Sequence, residues 1–161
     1  MLDVGPICGS NINYFLQRVR KLFVCDIYSH LDQARRKGLP LSRAWQQLGY
    51  PPQSFDGILL WELIDRLDDH ELAEVVALCH KMMKPRGILM LLVPAEKVLG
   101  PGVYSFVIRK DFRLQLRHQP HLDLPLHRRH SRQVIALLAP FTQIRSFIYR
   151  NGFREFLFVH N

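Results

Sequence analysis

Two aspartates and two glycines near the start of this 161-residue chain have the types and spacing of a ligand cradle. Asp3, Gly5 and Gly9 stand close together, and Asp26 follows 17 residues after Gly9. Glycines in a turn between a strand and a helix let a ligand approach the backbone, and the helix start offers unpaired N–H groups. A phosphate-binding Walker A loop is excluded, because residues 5–12 contain no lysine. The dinucleotide spacing G-x-G-x-x-G needs glycine at 5, 7 and 10, and only Gly5 fits. An acid at 3 with glycines at 5, 7 and 9 is met by Asp3, Gly5 and Gly9 and missed at Ile7.

The elements that must position these residues alternate between strand and helix. Residues 1–4 read as a strand stub and 5–9 as a turn. Ser10 or Asn11 is the expected cap of a helix whose apolar positions Ile12, Phe15, Leu16 and Val19 follow i, i+3, i+4, i+7. Residues 22–27 read as a buried strand that ends at Asp26. Residues 34–37 suit a helix, broken by Gly38 and Pro40, and 48–52 suit a loop with room for a very short strand. Residues 58–61 form the next strand, opened by Phe55-Asp56-Gly57. Asp68 or Asp69 caps a helix with Leu72, Val75, Val76, Cys79 and Met82 or Met83 on one face. Lys84-Pro85-Arg86-Gly87 combines a cationic last turn, a proline and a glycine, and should end it. Residues 88–93 are continuously apolar, as expected of a strand covered on both faces. Gly100-Pro101-Gly102 marks a change of texture. Residues 104–108 and 112–116 are expected to be extended, 118–129 irregular and 131–138 helical. Two apolar runs around Asn151-Gly152 give a strong hairpin signal. The pattern implies an α/β fold: a mostly parallel sheet that ends in an antiparallel pair.

Set in that frame, the acid-and-glycine spacing resembles motif I of the class I S-adenosylmethionine-dependent methyltransferases. Asp26 stands where that family places its ribose-binding acid. Phe55-Asp56-Gly57-Ile58-Leu59-Leu60-Trp61-Glu62, followed by Leu67, resembles the family's fourth-strand segment, and Lys84-Pro85-Arg86-Gly87-Ile88 is similar to the segment before its fifth strand. The terminal hairpin resembles the antiparallel strand peculiar to that fold. The resemblance implies one Rossmann-like domain with helices on both faces and an N-terminally short first strand. Residues 1–93 would form the cofactor-binding half, 100–130 a substrate-side insertion, and 131–161 the closing helix and hairpin. It implies S-adenosylmethionine as cofactor. Gly5, Pro6 and Gly9 would lie beneath its methionine end, with Asp3 at the amino group. Asp26 would take the ribose, Ile27 would line the adenine, and Leu60 and Trp61 would border the methyl group. Asp3 capping a turn and Trp61 packing in a core are the purely structural alternatives.

No catalytic base stands out; Glu62, Asp65 and His30 are candidates only if the acceptor must lose a proton. His118, His121, His127 and His130 suggest a metal, but zinc needs three or four ligands at constrained spacing, and Arg128 and Arg129 would repel a cation. Cys8 lies in the glycine turn without a partner for nucleophilic chemistry. The net charge of +8 is uneven: residues 1–100 carry 12 Lys/Arg against 11 Asp/Glu, and residues 101–161 carry 10 against 3. A basic second half suggests an anionic partner or substrate, RNA included. It also supports a rival reading, an inactive methyltransferase-like protein that binds such a partner. Three widely spaced cysteines fit reduced thiols in a cytoplasm. The composition excludes a disordered tail or a fibre, and no apolar run is long enough for a membrane helix.

Overall fold

The computed structural model describes residues 1–94, 100 and 102–161. Pro101, within the Gly100-Pro101-Gly102 change of texture, therefore lies outside the described residues. Among the described residues, eight strands and five α-helices follow in the order β1 (Leu2–Val4), α1 (Gly9–Leu16), β2 (Phe23–Cys25), α2 (Ile27–Arg36), α3 (Ser42–Trp45), β3 (Phe55–Trp61), α4 (Asp69–Met82), β4 (Met83–Pro94), β5 (Tyr104–Ile108), β6 (Leu114–His118), α5 (Ser131–Leu137), β7 (Thr142–Ile148) and β8 (Phe153–Val159). Six strands form one sheet in the order β2-β1-β3-β4-β8-β7, and β5 and β6 pair separately. β2, β1, β3 and β4 are parallel, and β8 and β7 are antiparallel to their neighbours. The expected mostly parallel sheet with a terminal antiparallel pair is the observed one.

Strand alternation divides the side chains between two faces. Leu2 and Val4, Ile58 and Leu60, Leu89, Leu91 and Val93, and Phe156 and Phe158 enter the main core with apolar residues of α2, α3 and α4 and Val134 of α5. Asp3, Leu59, Trp61, Met90 and Leu92 alternate with them and belong to the other face. There the cover is thinner: a smaller cluster of Trp61, Leu92, Phe106 and Phe153, with Phe15 of α1 and Ile108 and Leu116 of the β5–β6 hairpin packed on it.

Polar contacts lock the helices of the thick face. Arg35 of α2 donates to both carboxylate oxygens of Glu71 on α4, at 3.0 and 2.9 Å. Trp45 Nε1 of α3 donates to Glu74 at 2.5 Å. Asp68 and Glu71 form a reciprocal capping box at the start of α4, fixing that end where the sequence placed it.

Several local expectations are corrected. The residue capping α1 is Cys8 rather than Ser10 or Asn11, and no side chain bonds there. Asn11 is buried on α1, and its amide clasps the hairpin: Nδ2 donates to Phe106 O at 2.6 Å and Oδ1 accepts from Ile108 N at 2.8 Å. Leu16, expected on the apolar face, is 58% exposed. The strand expected over 22–27 stops at Cys25; Asp26 caps α2 and Ile27 is its first residue. Residues 84–87 do not stand outside the strand. Phe55 pairs with Met83 and Gly57 with Ile88, so these four residues bulge out of β4, turning at Arg86, whose φ is 65°.

Candidate functional site

The chain runs from β1 outward to β2 and returns to β3 on the other side of β1. Open α/β sheets bind ligands outside the carboxyl ends of their strands at such a reversal. Asp3, the Gly5–Gly9 segment, Asp26 and Trp61 all come from those strand ends. Gly5 N donates to Cys25 O at 3.2 Å, which sets the glycine turn directly beside the residue preceding Asp26.

Asp26 is half-buried, and its two carboxylate oxygens accept from Ser29 N at 3.1 Å and Ser29 Oγ at 2.8 Å. Each oxygen has a second lone pair, so capping α2 leaves acceptor capacity for another donor. Gly9 is exposed, with open space where a side chain would project, and Pro6 is half-buried.

At the other end of the turn, Trp61 dominates. β3 carries a register irregularity between Leu59 and Trp61, and Trp61 takes a φ of 50°, in the left-handed region that non-glycine residues rarely adopt. Its Nε1 donates to Asp3 Oδ1 at 2.5 Å, and its ring covers Gly5. A Cβ at Gly5 would lie 2.8 Å from Trp61 Cδ1, so glycine is required there by the indole. Beyond it, Phe106 stacks on Trp61 at 5.7 Å with planes 4° apart, and Phe153 meets Phe106 edge-on at 5.6 Å. Burial pushes the Asp3 carboxyl up to about 6, and the indole hydrogen bond opposes that rise.

Of the residues singled out in the sequence, Asp3, Gly5 and Trp61 are in contact, and Pro6, Gly9 and Asp26 are their neighbours at the same edge. Ile27 and Leu60 have no exposed surface and belong to the main core. The candidate bases scatter. Glu62 is wholly buried and paired with Arg66 at 3.1 Å, its carboxyl raised by burial against the pull of that guanidinium. Asp65 is 1% exposed, and burial pushes it up to about 7 despite Arg129 nearby. His30 lines a separate cavity of about 270 Å³ with Gln33, Lys37 and Arg43. Among the described residues, no three His, Cys, Asp or Glu side chains gather in a metal-holding arrangement. Nor is any helix among them long and apolar enough to cross a membrane.

The basic second half is partly spent internally. Arg129 is 7% exposed and donates to Ile64 O, to Leu67 O at 2.8 Å and to Asp69 at 2.6 Å, while Arg154 donates to Ser131 Oγ at 2.7 Å. The residues that sequence reasoning missed are those supporting the site from afar. Arg66 donates to Glu62 and, at 2.7 Å, to Gly102 O, while Glu62 accepts from Tyr104 N at 3.2 Å, which anchors the hairpin root. The i, i+4 spacing of Glu62 and Arg66 was a legible signal; nothing local marked Phe106 or the long-range clasp that Asn11 makes.

Comparisons with known proteins agree with this architecture. No curated protein matches the chain by sequence. Among solved structures, it is similar to an S-adenosylmethionine-dependent methyltransferase from Mesorhizobium loti, with a TM-score of 0.63 and 13% identity, over 98% of this chain and 89% of that one. It is also similar to the 1,6-didemethyltoxoflavin-N1-methyltransferase of Burkholderia thailandensis, solved with 1,6-didemethyltoxoflavin and S-adenosylhomocysteine bound. There the TM-score is 0.63 and the identity 20%, over 99% and 70% of the two chains. An N-methyltransferase from Bradyrhizobium japonicum matches with a TM-score of 0.57 and 15% identity, over 99% and 84%. These likenesses establish the fold, and the profile of a family described as "Methyltransferase domain" matches residues 2–91, more than half of the chain. With its strand order, its reversal point and that match, the chain belongs to the methyltransferase domain family.

Proposed function

We propose that the protein is an S-adenosylmethionine-dependent methyltransferase, with residues 1–93 holding the cofactor, 100–130 facing the acceptor and 131–161 completing the sheet. The observation that carries this reading is the Gly5 N to Cys25 O bond, which brings the glycine turn and Asp26 together at the reversal of strand order. Asp26, half-buried with spare lone pairs, suits the two ribose hydroxyls. The open space at Gly9 and the uncapped start of α1 suit close approach of a ligand to the backbone. Asp3 and Trp61 suit the methionine end, where a carboxylate faces an amino group and an indole borders a sulfonium. When bound, the cofactor supplies an activated methyl group open to in-line displacement.

The chain's own contribution is then mostly positional. Holding a nucleophile in line with the methyl carbon removes much of the entropic part of the barrier. Trp61 and Phe106, stacked in parallel, give that place an apolar wall that excludes water. An acceptor that is already nucleophilic needs no base, which agrees with Glu62 being sealed in an ion pair.

Calorimetry with S-adenosylhomocysteine tests this directly. Binding should be measurable, and Asp26→Asn, which keeps a side chain able to cap α2, should weaken it at least tenfold. An unchanged affinity in that variant would remove Asp26 from the ribose, and no binding to the unaltered protein would remove the enzyme reading.

A further inference from the structure

We infer that the space between the β5–β6 hairpin and the β7–β8 turn binds a flat, uncharged aromatic molecule. It is the acceptor of the proposed transferase; its role as acceptor rests on that reading, although its binding does not. A cavity of about 600 Å³ lies there, within the range typical of small-molecule sites. Phe106, Leu116 and Phe153 form its walls, with Phe112, Leu114 and Tyr149 toward solvent. The last three are 72%, 38% and 42% exposed, an uneconomical arrangement for side chains that a closed apolar contact would shelter.

The polar groups decide the chemistry. Among the described residues Arg113 is the cation on the lining, and it is 86% exposed and paired with Asp111 at 3.0 Å, so these residues offer no unshared positive charge. A nucleic-acid groove needs a row of such charges. Asn151 and Gln115 supply neutral donors and acceptors instead. A smaller cavity of about 240 Å³ shares Phe112, Leu114 and Tyr149 and reaches Trp61, so one set of rings links the outer space to the indole over Gly5. Its acid, Glu155, already accepts from Tyr149 Oη. On transfer, a lone pair on the acceptor's oxygen or nitrogen forms the bond to the methyl carbon. The carbon–sulfur pair returns to sulfur, and the acceptor's proton passes to water.

The test uses 2-naphthol as the probe and the whole chain as the protein. Fluorescence titration should show saturable binding to one site, at least tenfold weaker in Leu114→Glu and within threefold of the original in Leu16→Glu on α1. Amide shifts on adding the probe to the unaltered protein, which need no variant to fold, should concentrate at Phe106, Leu116 and Phe153. Unsaturable binding, equal weakening in Leu16→Glu, or shifts spread elsewhere would overturn the site. Naphthol binding without S-adenosylhomocysteine binding would keep the site and sink the transferase; the reverse would keep the transferase and sink the site.

Discussion

One sheet carries two unlike coverings. Behind Leu89 and Leu91 stand α2, α3, α4 and α5, and those strand residues have no exposed surface. Behind Met90, which lies between them in sequence, stand α1 and a detached hairpin among the described residues, and Met90 is half-buried. The thick side is closed by apolar burial and by ion pairs such as Arg35 with Glu71. The thin side is held by a few specific contacts: the Asn11 clasp, the Glu62–Arg66 anchor and the Trp61–Phe106 stack. Apolar burial is concentrated on one face, and the candidate chemistry, from Asp3 to Trp61, lies on the other. Such a division frees the functional side to use strained or polar residues that a core would not tolerate.

The largest effect that would sharpen this contrast comes from the anchor beneath the hairpin. Arg66→Ala should cost about 3–5 kcal/mol, because it leaves the Glu62 carboxylate buried without its partner. Urea unfolding measures the loss, and a cost below about 1 kcal/mol would mean that the hairpin root bears little of the thin side's stability. Next come two neighbours on β4. Leu89→Ala should destabilise by about 2–5 kcal/mol, as full burial requires, and Met90→Ala by about 1 kcal/mol. Equal losses in the two unfolding curves would erase the difference between the faces.

A smaller effect is expected at Gly5. Gly5→Ala should cost about 1–3 kcal/mol through the clash with the indole, and most of that cost should vanish on a Trp61→Phe background. A double-mutant cycle reads the coupling, and additive losses would show that the indole is not what requires glycine there.

The smallest effect is in pH. Asp3 and Asp65 hold their protons more tightly in the folded chain, up to about 6 and about 7 against a usual value of 3.8. Stability from these two acids is therefore full below about pH 3.8 and drains away as pH rises through 6 and 7. Asp65→Asn should flatten the decline between pH 6 and pH 8 and Asp3→Asn the decline between pH 5 and pH 7, each by roughly 1 kcal/mol in thermal unfolding. Identical slopes in all three proteins would refute the assignment.

How much of this was legible in the sequence follows from range. The α4 cap at Asp68, the β3 run and the hairpin around Asn151-Gly152 are written in residues a few positions apart, and each formed close to where it was read, whereas β4 reaches back to Met83 and takes in residues 84–87. Asn11 looked like a cap because its type suits one, yet its partners lie 95 and 97 residues away. Ile27 looked like the end of a strand because an apolar run gives no phase of its own; Asp26 bonding to Ser29 is what starts the helix there. The acid-and-glycine spacing located the edge of the sheet correctly. It carried no information about Trp61, whose indole reaches Gly5 and Asp3 from 58 residues away in sequence from the aspartate.

Strand order has one more consequence. β8 is made after every neighbour it pairs with, yet it lies between β4 and β7. Until residues 153–159 have been synthesised, the outer backbone groups of β4 lack their antiparallel partner along its most apolar stretch, residues 88–94. A ribosome that stalls late in translation would thus expose a greasy, unpaired rim able to capture any extended segment nearby.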